Sequence, residues 1–229
     1  MSRQQRSMLT LALITALLGT ALILPGLIGA EDAFFPIAVV KKNFAPAEKT
    51  GQAASYATGD DGDLQKGVAW PNPRFTDNGN GTVTDNLTGL IWLKNANCIK
   101  THYPGFDNDD TAGDGMVTWQ HALDFVAGIN AGAYPQCGAG FTDWRLSNIN
   151  ELHSLVHYGF SDPALPNTMG TGQWAEGNPF SGVQSSYYWS STTLADFTSL
   201  AWLVDLNNGY VFSALGTYSY HVWCVRGGP

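Results

Sequence analysis

Asp107-Asn108-Asp109-Asp110-Thr111-Ala112-Gly113-Asp114-Gly115 is the densest polar cluster in the chain. Carboxylates spaced through a glycine-containing loop suit Ca²⁺, which takes about six to eight oxygen ligands in flexible geometry. Asp107, Asp109, Asp110 and Asp114 are therefore the candidate metal ligands, and calcium the candidate cofactor. The spacing is not that of an EF-hand: counted from Asp107 or Asp109, the required glycine and the closing Glu are missing. The competing reading is a solvated acidic turn before a helix whose positive end favours carboxylates. His153 and His157, four apart on an expected helix, have metal-ligand spacing, but the Glu of an H-E-x-x-H motif and a third ligand are absent, so they read as a polar stripe. His221 and Cys224 lie three apart in an expected strand and point to opposite faces, which defeats a nucleophile–base dyad. No paired carboxylates in an acid–base setting and no phosphate-cradling glycine loop appear either. The sequence reads as non-catalytic.

Eight Trp and nine Tyr invite a carbohydrate-stacking reading. Trp92, Trp119, Trp144, Trp189, Trp202 and Trp223 fall at core-like spacing on expected elements and belong to the interior. The surface candidates are Trp174, in a long Gly/Pro/Ser-rich loop over 159–185, and Tyr187, Tyr210, Tyr218 and Tyr220 near the terminal hairpins. With Glu176, Asn178 and Gln184 beside Trp174, the expected ligand site is Trp174, Glu176, Asn178, Gln184, Tyr187 and Tyr210, because long irregular segments on rigid scaffolds carry binding chemistry. An apolar plate beside neutral and acidic groups suits a neutral sugar, or a cationic or Ca²⁺-bridged ligand, better than a sulfated chain. Arg74, Arg145 and Arg226, each among apolar neighbours, read as structural partners of carboxylates. For Arg145 the candidates are Asp143 and Glu151.

The elements that must hold these residues follow from pattern. RFTD, TVTD and LIWL, separated by the Asn-Gly turns of DNGNGT and by a second turn at DNLTG, read as antiparallel hairpins. VTWQHALDFVAGINAG places Trp119, Ala122, Leu123, Val126 and Ile129 on one face of a helix, with Thr118 as N-cap and Gly132 as stop. FTDWRL reads as a strand leading into a second helix over SNINELHSLVHYGF, where Asn148 and Glu151 have capping-box spacing. SYYWSSTT, SLAWLVDL, YVFSAL and YHVWCVR then read as a closing antiparallel meander. Strands, two helices and more strands make an α+β domain.

Residues 1–30 carry Arg3 and Arg6 before an uncharged run from Ser7 to Ala30, which reads as a signal peptide or, uncleaved, a membrane anchor through residues 7–30. Residues 31–47 read as a linker and 48–229 as the domain, with the tract around Tyr56 and Trp70 ordered against it. Nine basic residues (eleven less Arg3 and Arg6) face nineteen acidic ones beyond the export segment, a formal charge of −10 that makes nucleic acid a poor partner. The expected location is extracytoplasmic: secreted, periplasmic or cell surface. In an oxidising compartment three cysteines give one disulfide and one leftover. Cys98–Cys137 is the favoured bridge, closing a loop of about 40 residues, and Cys224 reads as a buried thiol or as the partner in an intermolecular or alternative bridge.

GNGTVTDNLTGLIW, GDGMVTWQHALDFVAGINAG, FTDWRLSNINELHSLV, YYWSSTT and AWLVDLNNGYVF…WCVRGG, in that order, resemble the family named after the C-terminal domain of the Legionella collagen-like protein, over roughly residues 48–229. The resemblance implies a C-type-lectin-like domain, two helices packed on antiparallel β-sheet, at a surface or secreted location. For the namesake it implies adhesion through host glycosaminoglycans and a trimer, hence a possible homo-oligomer here. The chain departs from that namesake in having no collagen-like Gly-X-Y repeats and few Lys and Arg residues. The functional expectation is an exported surface or adhesion domain that recognises a glycan or other cell-surface polymer. The alternative is a structural protein that self-associates or packs into an envelope or pilus-like complex.

Overall fold

The structure is a computed structural model that describes residues 47–107 and 111–227. The expected export segment, the linker up to residue 46, and the candidate ligands Asp109 and Asp110 lie outside the described residues. Among the described residues no helix is long and apolar enough to cross a membrane.

The Asn-Gly turns form where expected. Strand β1 (Phe75–Asp77) pairs antiparallel with β2 (Thr82–Asp85), and β2 with β3 (Leu90–Leu93), placing Val83 opposite Trp92. The first turn needs Gly79 and Gly81, both at positive φ (72° and 86°), and Asp77 closes it by accepting the Gly79 N–H. Beyond β3 the chain leaves this sheet. The α1 segment, Asp61–Leu64, precedes it; α2 (Cys98–His102), capped by Asn97, follows. Strand β4 (Val117–Thr118) then leads into α3 (Trp119–Asn130), whose N-cap is Thr118. Helix α3 buries Ala122, Phe125, Val126 and Ile129, while Trp119 and Leu123 only flank the core. A short α4 (Pro135–Gly138) carries Cys137, which is bonded to Cys98 with a sequence separation of 39. Cys224 is a buried free thiol, pushed up to about 12 by desolvation.

The second helix is shorter than the pattern implies. After β5 (Arg145–Leu146), α5 covers only Ile149–His153, with the Asn148–Glu151 capping box formed in both directions. The apolar spacing continues through Leu155 and Val156, but tertiary pairing overrides it. His157 N–H donates to Ala164 O and Tyr158 N–H to Thr50 O, at 2.9 Å each, so the chain turns out of the helix and His153 and His157 do not share a helix face.

Strands β6 (Tyr187–Leu194), β7 (Phe197–Asp205) and β8 (Val211–Leu215) make the expected meander, with Gly209 at φ 86° in the β7–β8 turn. The final run does not extend it, which corrects the expectation. Its β9 (Ser219–Tyr220) pairs with β4, and β10 (Cys224–Gly227) inserts between β3 and β5, giving a five-stranded sheet of order β1-β2-β3-β10-β5. The result is a mixed α and β fold of antiparallel sheets and few helices. Trp92, Trp189, Trp223, Phe75 and Phe180 are fully buried in one hydrophobic core, and the Trp189 and Trp223 indoles donate to the carbonyls of Val117 and Leu93. Of the remaining expected core Trp residues, Trp144 is buried, whereas Trp119 and Trp202 are half-buried.

Arg74, Arg145 and Arg226 all pair with carboxylates. Arg74 is fully buried and bidentate to Asp85 (2.8 and 2.9 Å), Arg226 binds Asp143 (2.6 and 3.0 Å), and Arg145 chooses Glu151.

Candidate functional site

A cleft of about 610 Å³ opens where residues 47–70 meet the turn after α5, a volume in the range of small-ligand sites. The first wall is a strap. Lys49 N–H donates to Val68 O and Val68 N–H to Ala47 O, so the strap closes on itself. Helix α1 is seeded by Asp60, whose carboxylate accepts the N–H groups of Tyr56, Ala57 and Asp63 and is held below the usual carboxylate range by them. Thr50 Oγ1 donates to Asp61 Oδ2. The Trp70 indole donates to Lys49 O at 2.8 Å, and the Tyr158 N–H···O bond to Thr50 ties the strap to the body.

The floor is aromatic. His157 stacks on Phe160 (centroids 4.1 Å apart, 22°) and meets Trp70 edge-on at 4.9 Å; the Arg74 guanidinium lies 4.3 Å from the Trp70 centroid. Gly51 at φ 87° passes so close that a Cβ would fall 2.6 Å from the imidazole, so only glycine fits. His157 Nδ1 accepts the Gly159 N–H at 3.0 Å, which leaves the ring proton on Nε2. Burial lowers the His157 pKa to about 4, helped by the Arg74 charge, and the ring is neutral at neutral pH. At the rim, Tyr56 is 85% exposed and Tyr158 is 47% exposed, with its hydroxyl 2.7 Å from His153 Nε2. Gln52, Gln65, Asp61 and Lys49 supply hydrogen-bonding groups to the lining. Rings for an apolar face, amides and one charge of each sign make a surface suited to holding a polar, uncharged molecule.

Of the residues expected to bind, the structure brings Glu176 and Gln184 together in a second cavity of about 500 Å³ with Asn95, Asn97 and Lys100; Trp174, Asn178, Tyr187 and Tyr210 do not line it. Trp174 is half-buried against the core, its indole N–H bonded to Phe180 O at 3.1 Å. Both Glu176 oxygens accept the Gly182 N–H, Asn178 Oδ1 accepts from Thr168, and Gln184 donates to Gly182 O. These groups pin the 159–185 loop. Tyr187 packs edge-on between Phe212 and Tyr220. Tyr210 is 70% exposed, its N–H donating to Asn208 Oδ1 within the β7–β8 turn. The loop still contributes to the cleft, through Gly159, Phe160, Gly170 and Thr171.

In the acidic loop, Asp107 is buried and its Oδ2 accepts the N–H groups of Gly113 (3.1 Å) and Gly115 (2.9 Å). Asp114 Oδ1 accepts the Met116 N–H. Among the described residues no three His, Cys, Asp or Glu side chains are grouped to hold a metal. The sequence reading missed the cleft as a site because its walls lie about 100 residues apart in the chain; the available signal was the ordered tract with Gly51, Tyr56 and Trp70.

A family model described as the Lcl C-terminal domain matches residues 81–226, well over half of the chain. The match begins after the strap, so the family region supplies the floor from His157 to Phe160 and the preceding residues supply the opposite wall. No curated protein matches the chain.

Proposed function

The chain belongs to the Lcl C-terminal domain family, and from that premise we propose that it is an exported, non-catalytic domain of C-type-lectin-like architecture that recognises a glycan or another surface polymer. The observation that carries this reading is the aromatic-floored cleft between the strap and the turn after α5. The net acidic balance favours a neutral ligand over a sulfated one. Calcium at the acidic loop would be held by Asp107, Asp109, Asp110 and Asp114, with weak affinity of about 10⁻⁴ to 10⁻³ M. Calorimetry in which Asp109→Ala and Asp114→Ala leave Ca²⁺ heats unchanged removes the loop from that role.

The test of the main reading is a glycan array followed by titration of the hits. Tyr56 is almost fully exposed, so Tyr56→Ala leaves the core intact and is expected to weaken binding by about fivefold to tenfold, the loss of one stacking ring. Trp174→Ala is expected to leave affinity within about twofold, since its indole serves the loop. The reverse pattern moves the site to the loop, and heparin binding tightly at physiological salt contradicts the charge argument.

A second reading, self-association, is favoured by one observation. Among the described residues strand β8 is paired only with β7, and Val211, Leu215, Tyr210 and Phe197 are exposed around that meander. Light scattering that shows ordered oligomers with no glycan signal supports this reading instead.

A further inference from the structure

We infer that the cleft selects an acetamido group, as carried by an N-acetylated amino sugar, through the Nε2–H of His157. The inference rests on the cleft being the binding site and names what it takes. His157 is 94% buried, given its 6% exposure, with Nδ1 committed to the Gly159 N–H. Its Nε2 has no hydrogen-bond partner among the described residues. Among the described residues the buried side-chain polar atoms that are both sealed from solvent and unpartnered are Arg74 Nη1, Trp92 Nε1, Ser147 Oγ and His221 Nδ1. Nε2 is not one of them, so it keeps a solvent opening, and the space its ring lines is the cleft. A buried donor that the protein leaves unanswered is complementary to an acceptor brought by a ligand.

The remaining lining narrows that acceptor. Asp61 Oδ2 is taken by Thr50, which leaves Oδ1 as an acceptor on the same cleft wall. Trp70 and Phe160 flank the imidazole with apolar ring surface. A neutral donor, an acceptor and aromatic surface match the carbonyl, the N–H and the methyl of one acetamido group. A carboxylate in that place would meet the Asp61 charge, and a simple hydroxyl would leave the aromatic surface uncovered.

The test uses the full chain with N-acetylglucosamine and glucose as probes, followed by nitrogen-correlated NMR of the imidazole and by calorimetry. N-acetylglucosamine is expected to shift the His157 Nε2 and Hε2 resonances and to bind about tenfold more tightly than glucose, the worth of one buried hydrogen bond. His157→Phe, which keeps a ring against Phe160, is expected to abolish that preference while leaving weak glucose binding. If both sugars bind the cleft equally, or if the acetylated sugar binds with Nε2 unmoved, the acetamido inference is overturned and the cleft reading stands. If neither sugar perturbs any cleft residue while arrays register a glycan elsewhere, both are overturned. The imidazole resonances decide the matter in the unmutated chain, so a His157→Phe variant that fails to fold does not rescue the inference.

Discussion

Single residues in this chain divide by what their charges are exchanged for. Arg74 and Asp85 are both fully buried, and Asp85 also accepts from the Leu87 N–H and Thr88 Oγ1 while Arg74 donates to Ser154 O. Removing one partner would leave the other ion uncompensated in a dry site, and the Arg74 Nη1 already has no partner there. Asp85→Ala is therefore expected to cost about 3–5 kcal/mol, read as a fall in the urea midpoint at unchanged slope. Arg226 and Asp143 make a geometrically similar pair, but the Asp143 side chain is 58% exposed. Asp143→Ala is expected to cost less than about 1 kcal/mol. Similar losses at the two sites would mean that burial does not set the strength of these pairs. Asp107 belongs with the first class in a smaller way: Asp107→Ala frees the Gly113 and Gly115 N–H groups and is expected to lower stability by about 1–3 kcal/mol.

At the scale of elements, the disulfide replaces what the short helices lack. Helices α2 and α4 have five and four residues, too short to persist on their own, and the Cys98–Cys137 bond joins them across 39 positions. Cys98→Ser with Cys137→Ser is expected to lower stability by about 4 kcal/mol through a freer unfolded chain. Peptide mapping of the non-reduced chain should find Cys224 unlinked; a bridge to Cys224 contradicts the structure. Local signals made much of this legible. Turn glycines announced β1–β3, Thr118 announced α3, and Asn148 with Glu151 announced the start of α5. The end of α5 was not legible, because Leu155 and Val156 keep helical spacing while the competing bonds come from Ala164 and Thr50. The same cause hid β10. Its sequence pattern fits a fourth meander strand equally well, and only the two vacant edges of β3 and β5 draw it away. The cleft was not legible for a related reason: its walls are far apart in the chain, whereas Trp174, in the kind of loop that carries ligands, gives its indole N–H to Phe180 O, six residues on, and only Glu176 and Gln184 of the expected set line a common cavity.

Across the whole molecule, two buried histidines couple the strap and the sheets to pH. His157 holds the strap through Gly51 and Trp70, and His221 lies where β9 hands over to β10, its N–H bonded to Tyr187 O and its carbonyl to the Trp189 N–H. Burial is the largest cause of both shifts, each from 6.5 to about 4; Arg74 adds to it at His157, and at His221 Lys100 adds to it while Asp107 opposes. Between those values the unfolded chain binds protons that the folded chain refuses, so stability is complete above about pH 6.5 and falls as the pH drops toward 4. The limiting slope is about 1.4 kcal/mol per pH unit for each histidine. Glu48, raised by burial, works in the opposite sense near 4.5 and blunts the lower end of the fall. Asp60, Asp77 and Asp143 are lowered from 3.8, so their losses begin only near and below that value and do not mimic the histidine window. Urea midpoints are expected to be flat from pH 8 to 7 and to decline from 6.5 to 4. His153, partly buried, is lowered from 6.5 by desolvation as well and adds to the fall in the same sense. In His157→Phe the decline should be shallower by up to about 1.4 kcal/mol per pH unit, the limiting share of the one ring removed. A midpoint that stays constant down to pH 4.5 would show that both buried rings protonate in the folded chain as readily as in the unfolded one, and would remove their burial as a source of acid sensitivity.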